Sequence, residues 1–281
     1  MSSTTLNTQK ESPTAQAAAT RRPRLEGLQV FITGASRGIG RQIAVAMADE
    51  GAVLTLAATN AELLEEVRVQ CASAGTGSHR TQLLDVTDRS ACFAAAKSAQ
   101  REHGRIDVLI NCAGIYRSAP FLDTAAADFQ RLLDVNLFGT IHLSQAVLPG
   151  MVAQGSGRVI NVASAAGKWA SPNQSAYNVS KHAVVGLTRC VAQEMGRTGV
   201  TVNAICPGMV ETDMLTHNYR RAESQANAPL DELIAPVLAR VAMGRVLQAR
   251  EVADLAIFLA SAESSGMTGQ SLVIDGGMLY V

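Results

Sequence analysis

The chain has 281 residues, 47% of them hydrophobic and 17% charged, with 24 basic side chains balancing 24 acidic ones. That length and apolar content fill one large core, and a formal net charge of zero lacks the electrostatic footprint of a nucleic-acid or anionic-membrane partner. The five cysteines are odd in number and show no Cys-x-x-Cys spacing, which excludes a disulfide framework and a zinc site and points to the reducing cytoplasm.

Residues 1–25 are rich in Ser, Thr, Ala and Gln and end in Arg21-Arg22-Pro23-Arg24. They read as a disordered extension, with one folded domain expected over 26–281. No run of about 18 apolar residues is present, so no membrane span is expected. From Leu28 the pattern alternates between strand and helix. The apolar run Leu28–Thr33 leads into the turn Gly34-Ala35-Ser36-Arg37-Gly38-Ile39-Gly40. A helix follows with Ile39, Ile43 and Met47 on one face, and then the strand Val53–Ala57. This is a βαβ unit with a glycine-rich crossover, the build of a doubly wound parallel sheet. Glycines there let backbone approach a pyrophosphate, and the helix N-terminus offers it free N–H groups.

Further strands are expected at 81–85, 106–111, 158–162, 200–205 and 271–275, with helices near 88–101, 175–195 and 249–261. A long helical stretch carries Phe129, Leu132, Leu133, Asn136, Leu137 and Ile141. Residues 209–245 form an insertion with an amphipathic piece, Leu230 to Val241. Lying just beyond the carboxyl end of a strand, it is positioned as a lid.

The chemistry concentrates between Ser164 and Lys181. Tyr177 and Lys181 stand four apart at the start of a helical pattern, on one face. An ammonium beside a phenol lowers a pKa that is about 10 when unperturbed, so the pair is expected to move a proton near neutral pH. Ser164 closes the strand 158–162 and aims a hydroxyl at the same place. At the end of the second strand, Ala57-Ala58-Thr59-Asn60 offers no carboxylate to a ribose 2′-hydroxyl, and the first acid is Glu62. Arg37, between the first two glycines of the turn, brings a fixed positive charge instead, with Thr59 or Asn60 adding hydrogen bonds. NADP(H) is therefore expected over NAD(H).

In order, these motifs resemble the short-chain dehydrogenase/reductase family across roughly residues 26–278. The set is Thr33-Gly34-x-x-x-Gly38-x-Gly40, Asp85, Asn111-Cys112-Ala113-Gly114, Asn136, Ser164, Tyr177-x-x-x-Lys181, and Pro207-Gly208 with Thr212. The usual Asn-Asn-Ala-Gly reads Asn-Cys-Ala-Gly here, at a position expected to pack the sheet. The resemblance implies a single-domain Rossmann-type α/β fold, a doubly wound parallel sheet flanked by helices. It implies that Tyr177 is the general acid for carbonyl reduction, that Lys181 tunes it and holds the nicotinamide ribose, and that Ser164 polarises the substrate carbonyl. Asn136, at a helix kink, would position a water. The implied cofactor set is Gly34, Ser36, Arg37, Gly38, Ile39, Gly40, Thr59, Asp85, Val86, Asn111, Ala113, Gly114, Tyr177, Lys181, Pro207, Gly208, Val210 and Thr212, with no metal. In that set Asp85 would meet the adenine, Ser36 and Arg37 the adenosine ribose, and Thr212 the carboxamide.

The resemblance is greatest to 3-oxoacyl-[acyl-carrier-protein] reductases and polyketide ketoreductases. It implies an NADPH-dependent reductase of a β-ketoacyl thioester, β-keto ester or similar ketone, assembled as a homotetramer. The alternatives are an NAD-dependent secondary alcohol or 3-hydroxybutyrate-type dehydrogenase and a nucleotide-sensing regulator without chemistry. Fatty-acid reductases present arginines to an acidic carrier protein where this chain has Gly155 and Thr198, with Arg158 and Arg197 close by. A free keto ester or CoA thioester thus stands beside a carrier-borne acyl group as substrate.

Overall fold

The computed structural model describes residues 23–216 and 229–280. Most of the expected disordered extension, residues 1–22, and the middle of the expected lid, 217–228, lie outside the described residues. Seven strands form one parallel sheet: β1 (Gln29–Thr33), β2 (Val53–Ala58), β3 (Arg80–Leu83), β4 (Val108–Asn111), β5 (Gly157–Val162), β6 (Val200–Pro207) and β7 (Ser271–Ile274). They lie in the order β3-β2-β1-β4-β5-β6-β7. The helices are α1 (Gly38–Asp49), α2 (Ala61–Ala74), α3 (Arg89–His103), α4 (Ala126–Leu133), α5 (Gly139–Gln154), α6 (Ser175–Met195), α7 (Leu230–Leu238) and α8 (Ala249–Ala260).

Period-two alternation divides the core between the two sheet faces. Val30, Ile32, Leu54, Leu56, Val108, Ile110 and Ile160 point to one face, where Ile43 and Met47 of α1, Leu64 and Val67 of α2, and Val252 and Leu259 of α8 cover them. Phe31, Ala57, Leu109, Val159 and Val202 point to the other face, under Ala95 and Ala99 of α3, Leu143 and Val147 of α5, and Ala192 of α6. The inner strands β1, β2, β4, β5 and β6 therefore read as apolar runs because both faces are covered. Trimming one such side chain to alanine costs about 2–5 kcal/mol.

The structure moves several expected boundaries. The fold begins before residue 26: Leu25 is fully buried, and Arg24 pairs with Glu50 at 2.8 Å, so the last two residues of the expected extension are packed. A single leucine among polar neighbours carries too weak a pattern to mark that start. β3 ends at Leu83 rather than Asp85, because Asp85 turns on itself and accepts from Thr87 N at 2.9 Å and Thr87 Oγ1 at 2.8 Å. The long helical stretch is two helices, α4 and α5, joined by a π-helical turn over Asp134–Phe138 that holds Asn136.

β1 pairs with β2 on one side and β4 on the other, so the chain reverses its winding between β1 and β4. The carboxyl ends of these strands part there and leave a crevice. Thr33 Oγ1 fixes its floor by accepting from Cys112 N and Ala113 N, both at 3.1 Å.

Candidate active site

The crevice is a cleft of about 810 Å³. Its first wall is the turn after β1. Gly34 has φ +67°, and a Cβ there would stand 2.8 Å from Ala113 Cα. A Cβ on Gly40 would come within 2.2 Å of the Gly34 carbonyl. The backbone is thus open where only hydrogen fits, and it leads into the N-terminus of α1, capped by Arg37 without any side-chain bond. Exposed N–H groups at the positive end of a helix beside a glycine cradle suit a pyrophosphate, so the residues present fit a dinucleotide.

Of the expected cofactor residues, Gly34, Ser36, Arg37, Gly38, Ile39, Gly40, Thr59, Asp85, Val86, Ala113, Gly114, Tyr177, Lys181 and Thr212 line the cleft. The others are placed differently. Asn111 is 4% exposed and turns into the sheet, where its Nδ2 donates to Asn161 Oδ1 at 2.9 Å and Ser144 Oγ at 3.3 Å. Asn161 in turn donates to Thr188 Oγ1 at 2.9 Å, so β4, β5, α5 and α6 are tied by one buried polar chain. Pro207 ends β6 inside the core, Gly208 packs on Asp275, and Val210 joins the hydrophobic cluster beside Leu247. Asn60 is occupied as the N-cap of α2, accepting from Leu63 N at 2.8 Å, which leaves Thr59 as the cleft-facing hydroxyl of that strand end.

The cleft also has walls that the motifs did not indicate. Ala127, Gln130, Arg131 and Asp134 of α4 and its π turn, Thr87, Asp213, Met214 and Cys112 all line it. Cys112 therefore does more than pack the sheet. No local signal marks these residues, since α4 reaches the cleft through the path of the chain between β4 and α4.

At the inner end of the cleft Ser164, Tyr177 and Lys181 come together. Ser164 caps the turn Ala165–Gly167, accepting from Ala166 N at 3.1 Å, and its hydroxyl stands close enough to the Tyr177 phenol to pull that pKa down. Lys181 is 5% exposed, donates to the Val162 carbonyl at 3.0 Å, and holds Nζ 5.8 Å from the Tyr177 ring centroid. Asn136 is 1% exposed and grips the loop after Gly114: its Oδ1 accepts from Ile115 N at 2.8 Å, and its Nδ2 donates to Ile115 O at 3.0 Å and to Ser180 Oγ at 3.0 Å.

The electrostatics correct the expectation of a lowered phenol pKa. Burial pushes Tyr177 up to about 12, against the pull of the Ser164 hydroxyl, and burial pushes Lys181 down to about 8. In a dry corner each charged form is disfavoured, and that outweighs proximity. The phenol is held protonated, the state of a proton donor.

Trp169, in the turn between Ser164 and Tyr177, stacks under Arg240, whose guanidinium carbon lies 4.3 Å from the ring centroid. The indole is thereby linked to the segment just after α7. No helix among the described residues is long and apolar enough to cross a membrane.

Comparison with known proteins bears on this arrangement. A family model described as enoyl-(acyl carrier protein) reductase matches residues 34–279. A 3-oxoacyl-[acyl-carrier-protein] reductase of Thermotoga maritima is 36% identical over 256 residues, covering 91% of this chain and 99% of its own length. The solved structure of levodione reductase matches with a TM-score of 0.86 at 35% identity, over 90% of this chain and 98% of that one. A variant of actinorhodin polyketide ketoreductase solved with NADPH gives 0.85 at 31% identity, over 90% and 97%. The family match spans the glycine turn, the Ser164–Lys181 corner and the last strand together, and the protein belongs to the short-chain dehydrogenase/reductase family of oxidoreductases.

Proposed function

We propose that the protein is an NADPH-dependent reductase that converts a ketone, such as a β-ketoacyl thioester or β-keto ester, to a secondary alcohol. The arrangement that carries this reading is the buried Tyr177 beside Ser164 and Lys181 at the inner end of a glycine-cradled cleft, where burial raises the phenol pKa and favours its protonated form. A bound reduced nicotinamide supplies the hydride to the carbonyl carbon. Ser164 and Tyr177 hold the carbonyl oxygen by hydrogen bonds that strengthen as negative charge grows there. Tyr177 then passes its proton to that oxygen, which completes the alcohol, and Lys181 stabilises the phenolate until solvent reprotonates it.

The preference for NADPH rests on Arg37 and Thr59 lining the cleft where the second strand brings no carboxylate. The ketoreductase relative was itself solved with NADPH. The acyl group is taken to be free or a CoA thioester, since Gly155 and Thr198 stand where fatty-acid reductases present arginines to a carrier protein. Free cysteines fit a cytoplasmic location. A catalytic domain over 26–281, with Arg24 and Leu25 packed onto it, assembled as a homotetramer fits the outer face of α6: Cys190 is exposed and Ala183 and Leu187 are half-buried there, whereas Val184, Val185 and Thr188 face the sheet.

Steady-state kinetics with both cofactors, over a panel of keto esters, thioesters and cyclic diketones, test the reading. NADPH should give the higher kcat/KM, and Arg37→Ala should raise the KM for NADPH by about tenfold, the worth of one charge-assisted hydrogen bond, while leaving NADH unchanged. A higher kcat/KM with NADH in the wild type would overturn the cofactor assignment in favour of an oxidative dehydrogenase.

A further inference from the structure

Resting on Tyr177 as the proton donor, we propose that Tyr116 is its positioning residue, a ring clamped edge-to-face against the reacting phenol that fixes its orientation and keeps water from it. The two ring centroids lie 4.9 Å apart with planes at 71°, the geometry in which an aromatic edge and face attract.

Tyr116 is itself held. Its hydroxyl lies beside Ser118, which lowers its pKa against the rise caused by burial. Ser118 Oγ donates to the Asn173 carbonyl at 3.0 Å, and Ala119 N donates to the same oxygen at 2.9 Å. Asn173 is the one non-glycine residue with positive φ, 59°, among the described residues. Asparagine adopts this left-handed turn more readily than other non-glycine residues, and its carbonyl there meets the loop that carries Tyr116. On the other side of Tyr116, both backbone groups of Ile115 are taken by Asn136. The segment 115–119 is thus pinned at both ends, between the π turn and the loop before α6, and the side chain it presents to Tyr177 is a ring.

The other groups around the phenol have different tasks. Ser164, after β5, stands beside it; Lys181, on α6, lies near it; Cys112, after β4, adds a neutral thiol. Burial keeps the phenol neutral, and the Tyr116 ring covers one side of it. In the reducing direction activity needs the protonated phenol, so it is lost as pH rises through the Tyr177 pKa. Water admitted beside the ring lowers that pKa and moves the alkaline limb down.

The test compares Tyr116→Leu with Tyr116→Phe. The leucine variant should lose about tenfold in kcat, with the KM for NADPH unchanged and the alkaline limb of the pH–rate profile lower by about one unit. The phenylalanine variant keeps the ring and should retain the wild-type limb. A leucine variant with a lowered melting temperature but wild-type kcat and limb would show packing alone and overturn the proposal. If it does not fold, Ser118→Ala releases the ring from its anchor and should move kcat and the limb in the same direction; an unchanged profile there overturns it equally. Tyr177→Phe separates this proposal from its parent. Full activity in that variant removes the proton-donor reading itself, whereas an inactive Tyr177→Phe beside a wild-type Tyr116→Leu removes only the role of Tyr116.

Discussion

The glycine turn after β1 and the corner between Ser164 and Lys181 face the same cleft, yet one is held by backbone and the other by side chains. In the turn, Gly34 and Gly40 approach so closely that a Cβ on Gly40 would collide with the Gly34 carbonyl. No side-chain bond holds the start of α1. In the corner, Ser164, Asn136, Ser180 and Lys181 are each placed by hydrogen bonds to neighbouring backbone or side chains. The difference separates two kinds of sensitivity. Substitution in the turn should disturb the fold and the cofactor together, while substitution in the corner should disturb chemistry and leave the fold, even strengthen it.

The largest effect that probes this contrast is chemical. Tyr177→Phe keeps the ring, its contact with Tyr116 and its packing, and removes only the transferable proton. Turnover should fall about 10²- to 10⁴-fold, with the melting temperature and NADPH affinity close to wild type. Single-turnover rates and a binding titration read both quantities, and a variant that lost affinity as much as turnover would erase the proposed separation.

Gly40→Ala should do the reverse. One methyl group must displace backbone, which costs about 1–3 kcal/mol of stability, and NADPH binding should weaken with it. Denaturant unfolding followed beside a cofactor titration checks this. Wild-type stability in that variant would mean that the turn relaxes more freely than its geometry implies.

The smallest effect sharpens the comparison through pH. Lys181 has a folded pKa depressed from 10.5 to about 8 by burial. Between those values the unfolded chain binds a proton that the folded chain does not, so stability rises with pH there, by at most about 1.4 kcal/mol per unit. Below about 8 the cost of the buried charge is fully present. Tyr177 works oppositely, because its raised pKa lets the unfolded chain lose its proton first, and stability falls above about 10. Lys181 should therefore add a rising slope from pH 8 to 10, set against the falling slope of the buried thiols of Cys71, Cys92 and Cys112, whose pKa values burial raises from 9.0 to about 12. Lys181→Met should abolish the rising slope and raise stability at pH 7, while turnover should fall. An unaltered slope in thermal scans across this range would show that another group titrates.

Much of the molecule was legible without its tertiary structure, and the reason is locality. The five inner strands show as apolar runs because each is covered on both faces, and the glycine turn shows because one βαβ unit contains it whole. Tyr177 and Lys181 share a helix face by the pitch of a single helix. What lay out of reach depends on segments far apart in the chain. Asn111 carries the motif but spends its amide on Asn161 and Ser144, 50 and 33 residues away. Arg131 and Gln130 of α4 line the cleft only because of the course the chain takes after β4. Tyr116 meets Tyr177 across 61 residues through a loop pinned by Asn136 and Asn173. The protonation of the site was misjudged for the same reason. Spacing reveals that an ammonium stands near a phenol, but the balance between attraction and desolvation is set by everything packed around both, and only the folded chain determines that.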